Sequence, residues 1–194
     1  MGLTLSYNVV MKIIIIQGGG ATGKSTLAKE LERIFGIPIF SKDDYRLARY
    51  AFNKTSFTDW FKLEKKSYGA VYEAIEAAIQ NDKSLILEGN FSLSHRKEFH
   101  AALANCKNII EIDCYTKGFI AARRYIVRNR EDDVSEGFRD YLRYIAVVLE
   151  AICSIVGLGW YRNLGLTKNV MNLETSDPNK IDYKPIIEFV RSIN

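Results

Sequence analysis

Gly18 to Ser25 reads Gly-Gly-Gly-Ala-Thr-Gly-Lys-Ser and fits G-x-x-x-x-G-K-[ST], a spacing suited to capturing a polyphosphate. Glycines let the chain curl until consecutive N–H groups point inward at an anion, a shape that Cβ atoms obstruct. Lys24 supplies a mobile cation for the β- and γ-phosphates, and the Ser25 hydroxyl can ligate magnesium. Gly18, Gly19, Gly20, Ala21, Thr22, Gly23, Lys24, Ser25 and Thr26 are therefore the expected nucleotide-binding residues. The expected ligands are ATP and Mg2+, with the preference for ATP over GTP left open.

The flanking residues supply the required order of strand, glycine turn and helix. Met11 to Gln17 is rich in isoleucine, as a buried parallel strand should be. After the loop, Leu27, Ala28, Leu31, Ile34 and Phe35 recur at helical spacing, and the start of that helix adds a positive pole. Further along, the pattern predicts strands at 37–40, 84–88, 109–114 and 170–173. Helices are expected at 44–52, 63–80, 95–104, 117–128 and 135–155, and a last one opens near Asp182, its N-cap. Residues 53–62 read as an aromatic-bearing loop. The alternation predicts an α/β fold of three layers, a five-stranded parallel sheet with helices on both faces. Residues 1–10 read as an extension and 11–194 as a single domain.

Ligands of open parallel sheets sit at the carboxyl ends of the strands, so the polar residues following each strand should line one crevice. The second strand is followed by Ser41-Lys42-Asp43-Asp44-Tyr45-Arg46, the third by Glu88-Gly89-Asn90. Five charged side chains at two such positions are hard to explain as surface decoration. Asp-Asp-Tyr-Arg after the second strand resembles the polynucleotide 5′-hydroxyl kinases. More broadly the chain is similar to the small P-loop kinases that include zeta-type toxins and chloramphenicol phosphotransferase.

That resemblance implies that Asp43 accepts the proton of an acceptor hydroxyl and that Arg46 binds acceptor phosphate. A carboxylate beside the γ-phosphate can indeed orient and deprotonate a hydroxyl attacking in line. Asp44, opening a helix, reads as its N-cap. Glu88 stands where relatives carry an acidic residue acting on magnesium through water, and it is a second candidate for the base. Asn90 matches a polar substrate contact. Arg128 and Arg130, with Arg124 behind them, resemble lid arginines that offset charge on the transferring phosphoryl group, in a short lid at about 124–136. Glu174 to Pro178 resembles the loop that relatives place against the adenine. Tyr50 and Trp60 are the aromatic candidates for acceptor stacking.

Composition narrows the alternatives. The 194 residues suit one domain, and 47% hydrophobic and 26% charged content are ordinary for a globular protein. The net charge of +4 is too mild to argue for nucleic acid by itself. Cys106, Cys114 and Cys153 form no C-x-x-C pair, which favours reduced thiols and a cytoplasmic setting. No stretch is long enough to span a bilayer. Met1 to Ser6 matches the myristoylation pattern, a short motif often met by chance. Asn179-Lys180-Ile181-Asp182 spells the guanine-reading N-K-x-D, but it follows Asp177-Pro178 and no D-x-x-G precedes it, so a GTP switch acting through partners ranks second. The leading expectation is an ATP-dependent phosphotransferase acting on a hydroxyl of a small molecule, nucleoside or nucleic-acid 5′ end.

Overall fold

A computed structural model describes residues 10–53, 57–117, 119–121, 123–124, 127 and 163–193. Five parallel strands form one sheet: β1 (Ile13–Gln17), β2 (Ile39–Ser41), β3 (Leu85–Gly89), β4 (Ile109–Tyr115) and β5 (Val170–Glu174), in the order β2-β3-β1-β4-β5. In register, β1 pairs Ile16 with Glu88 on one side and with Ile112 on the other. The central position of β1 explains its sequence. Ile13 to Ile16 are all fully buried, because both faces of a central parallel strand are covered.

The described helices are α1 (Lys24–Phe35), α2 (Lys42–Asn53), α3 (Phe57–Gln80), α4 (Arg96–Ala102) and α5 (Tyr183–Ser192). Alternation along β1 divides the core in two. Ile13 and Ile15 pack with Val71, Ile75, Phe91 and Phe99, under α3 and α4. Ile14 and Ile16 pack with Leu27, Leu31, Ile186 and Val190, under α1 and α5. Truncating any one of these isoleucines to alanine should cost about 2–5 kcal/mol through lost burial and the cavity left behind. The expected three-layer α/β/α architecture with a five-stranded parallel sheet is thus present.

Two local expectations are corrected. The stretch 57–62, read as loop, is the opening of α3, a helix that packs against α2. Aromatic residues there suggested irregular chain, whereas Glu64, just beyond that stretch on the same helix, ties it to α2. Asp44 is not a cap, because α2 begins two residues earlier, at Lys42. Ser41 does the capping, its Oγ accepting from the Asp44 N–H at 3.2 Å. At the other end of the chain Asp182 does cap α5, accepting from the Lys184 N–H at 3.0 Å.

Candidate active site

The glycine-rich loop leaves β1 at Gln17 and enters α1 at Lys24, where no side chain caps the helix. Its first N–H groups therefore remain available to an anion, reinforced by the helix dipole. Gly18 cannot be replaced without movement. Its φ is +145°, and a Cβ there would lie 2.1 Å from the Cys114 carbonyl oxygen on β4. The loop also closes on itself, with the Thr22 hydroxyl donating to the Gly19 carbonyl at 2.8 Å. Lys24 Nζ donates to the same carbonyl at 2.8 Å, so the ammonium is stored over the loop, poised for phosphate oxygens.

At the end of β3, Glu88 is buried and both its carboxylate oxygens are engaged. The Ser25 hydroxyl donates to Oε1 at 3.2 Å and the Ser41 hydroxyl to Oε2 at 2.8 Å. Pairing of β3 with β1 and β2 makes this convergence, since Ser41 lies directly opposite Glu88 in register. A serine hydroxyl and a carboxylate at this separation fit magnesium, which takes one or two protein oxygens and fills the rest of its shell with water and phosphate. Among the described residues no group of three or more His, Cys, Asp or Glu forms a closed metal cage.

The first turn of α2 carries Asp43 and Asp44, and Arg46 follows at the start of the second. Arg46 NH2 faces Asp43 Oδ1 at 3.3 Å, and its NH1 donates to Glu64 Oε2 on α3 at 2.5 Å. Lys42 is almost sealed from solvent. Its Nζ donates to Glu64 Oε1 at 2.8 Å and to the Asn90 carbonyl at 2.6 Å, and lies 4.5 Å from the Tyr68 ring centroid. Burial pulls the Lys42 ammonium below its usual range, opposed by Glu64 and Asp43. Burial pushes the Glu64 carboxyl up, but Lys42 and Arg46 together outweigh it and hold it below the usual range. Neither Lys42 nor Glu64 was singled out in the sequence. Lys42 sits inside the polar run after β2, but Glu64 carries no motif.

Two further elements brace the site. Tyr68 takes the Ser92 N–H on its hydroxyl at 2.8 Å and stacks on His95 at 3.6 Å between centroids, pinning the chain just after Asn90. On the opposite side, Thr175 donates to the Thr22 carbonyl at 2.7 Å, joining the loop after β5 to the glycine loop. Arg124 NH2 donates to the Thr175 and Ser176 carbonyls, both at 2.8 Å. Arg124, itself helical, thereby joins its part of the chain to the segment expected beside adenine. The N-K-x-D residues lie away from any strand end: Asn179 and Lys180 form a 3₁₀ turn four residues beyond β5, and Asp182 is the α5 cap.

The structure thus brings Gly18 to Thr26, Asp43, Arg46, Glu88 and Asn90 to the carboxyl edge of the sheet. Tyr50 lies on α2 and Trp60 on α3. Arg128 and Arg130 fall outside the described residues, as does Cys153. Cys106 and Cys114 are free and buried.

Residues 13–146 match the model of a family described as the AAA domain. The chain belongs to that family. Its P-loop kinase fold recurs in solved structures. A candidate kinase from Chloroflexus aurantiacus J-10-fl superposes with a TM-score of 0.77 at 22% identity, covering 94% of this chain and 95% of that one. Shikimate kinase from Bacteroides thetaiotaomicron gives 0.53 at 14% identity, over 94% and 96% of the two chains. A gluconokinase from Sinorhizobium meliloti 1021 gives 0.52 at 11%, over 94% and 89%. No curated protein sequence matches. These likenesses establish the fold. No described helix is long and apolar enough to cross a membrane.

Proposed function

We propose that the protein is an ATP-dependent phosphotransferase that moves the γ-phosphate to a hydroxyl of an acceptor. One observation carries the reading: the hydroxyls of Ser25 and Ser41 converge on the buried Glu88 carboxylate, beside the α2 turn that carries Asp43. One carboxylate for the metal and a second for the acceptor proton are what transfer to a hydroxyl requires.

The backbone amides of Gly18 to Lys24 cradle the β- and γ-phosphates, and Lys24 leaves the Gly19 carbonyl to follow the transferring group. Ser25 and Glu88 would hold magnesium, which when bound offsets phosphate charge. Asp43 takes the acceptor proton as its oxygen attacks in line. Arg124, Arg128 and Arg130 belong to the lid, Tyr50 and Trp60 to the acceptor side. Arg46 and Asn90 contribute to the acceptor wall. The protein works in the cytoplasm.

Incubation with γ-labelled ATP, magnesium and a panel of nucleosides, sugars, aminoglycoside- and chloramphenicol-type drugs and 5′-hydroxyl oligonucleotides should label an acceptor, and Lys24→Ala should not. If well-folded protein gives no calorimetric heat with either ATP or GTP in magnesium, the reading is wrong.

A further inference from the structure

Lys42, Glu64, Arg46 and Asp43 form one continuous ion-paired chain along the wall that α2 and α3 build beside the end of β3. The chain is charge-balanced, two cations against two carboxylates. The Lys42 side chain is only 1% exposed, lying beneath Tyr68 and against the Asn90 carbonyl, so no ligand reaches it. Arg46 is spread between Glu64 and Asp43, with 19% of its side chain exposed. Around this balanced wall, Asp44 on the same turn and Glu88 at the strand end add negative charge.

An acceptor carrying phosphate meets two obstacles here. Drawing Arg46 away strips Glu64 of one of its two cations, and a half-buried carboxylate deprived of a partner is costly. Leaving Arg46 in place instead sets the anion against Asp43, Asp44 and Glu88, with no surplus cation in the described ion-paired chain to offset them. An uncharged hydroxyl compound meets neither obstacle. Building on the kinase reading above, we propose that this wall selects an uncharged, hydroxyl-bearing small molecule. Glu64 determines that specificity, holding Lys42 and Arg46 so that phosphorylated and nucleic-acid acceptors are excluded.

The test needs no knowledge of the acceptor. A dye-labelled 5′-hydroxyl decanucleotide is titrated at low salt against the full-length wild type, Arg46→Gln, Glu64→Gln and the double variant, followed by anisotropy. Wild type and Arg46→Gln should bind equally weakly or not at all. Glu64→Gln, which frees Arg46 from one of its two carboxylates while Lys42 stays sealed, should bind about tenfold tighter, within the range expected of one charge contact, and the double variant should lose that gain. Inorganic phosphate should compete with the oligonucleotide only in Glu64→Gln. If Arg46→Gln weakens the wild type's oligonucleotide binding about threefold or more, Arg46 serves an anionic acceptor and the proposal is overturned. A folded Glu64→Gln that gains nothing overturns it as well. Should Glu64→Gln fail to fold, the wild type and Arg46→Gln pair decides alone. ATP heats measured on the same samples report separately on the kinase reading: their absence would remove that reading while leaving the anion comparison interpretable.

Discussion

The Thr175 hydroxyl donates to the Thr22 carbonyl at 2.7 Å, although 153 residues separate them. The same proton is shared with the Tyr115 carbonyl at 3.0 Å, so one buried side chain locks the glycine loop to the ends of β4 and β5. Thr175→Val keeps the shape and removes both bonds. It should lower ATP affinity several-fold, since each lost hydrogen bond is worth about 0.5–1.5 kcal/mol. Calorimetry with ATP reads this directly, and unchanged affinity would mean the lock does not hold the loop.

Asp43 and Glu88 compete for the role of base, and their hydrogen bonds separate them. Both Glu88 oxygens receive serine hydroxyls, whereas Asp43 faces Arg46 at 3.3 Å. Asp43→Asn should lower kcat by about 10²–10⁴ while leaving ATP binding intact, the size expected for loss of a general base. Near-normal turnover in that variant would transfer the role to Glu88.

Glu88→Gln should weaken magnesium-dependent ATP binding yet change metal-free ADP binding little. The amide keeps the volume and one acceptor but loses the charge beside Ser25. Titrating ATP at several magnesium concentrations gives the comparison. Equal weakening with and without magnesium would point to a purely structural carboxylate.

Gly18→Ala should destabilise the fold and abolish nucleotide binding together, because the added Cβ would meet the Cys114 carbonyl at 2.1 Å. A melting temperature equal to that of the wild type would show that the loop relaxes elsewhere.

Asp113 on β4 lies opposite Gln17 in register, and burial pushes its carboxyl from 3.8 up to about 6. The native state then holds the proton more tightly than the unfolded chain. Its contribution to stability is fully present below the unfolded value and is lost as pH rises through about 6. Asp113→Asn should therefore raise stability at pH 7.5 by roughly 2–3 kcal/mol and flatten the pH dependence between about 4 and 6. Denaturant melts at a series of pH values measure it, and a variant less stable at pH 7.5 would contradict the assignment. Glu64, held below the usual range, acts in the opposite sense and loses its contribution as the solution becomes acidic.

Much of this was legible along the chain. The phosphate loop is contiguous, and the isoleucine run and the helical periods around it depend only on nearest neighbours. The five parallel strands and the Asp182 cap follow from local pattern in the same way. Boundaries shifted where one polar residue could substitute for another, as when Ser41 took the capping that Asp44 was expected to provide.

What the order of residues could not specify was which distant groups meet. Strand order β2-β3-β1-β4-β5 sets Ser41 and Ser25 on either side of Glu88, and β4 beneath Gly18. Packing of α3 on α2 seats Glu64 between Lys42 and Arg46, although its own neighbours in sequence mark it as one more charge on a helix. Local composition determines which backbone shapes are affordable, and so the anion cradle is written in eight consecutive residues. The ion-paired chain through Lys42, Glu64, Arg46 and Asp43 is a property of two helices brought together, and only their packing decides it.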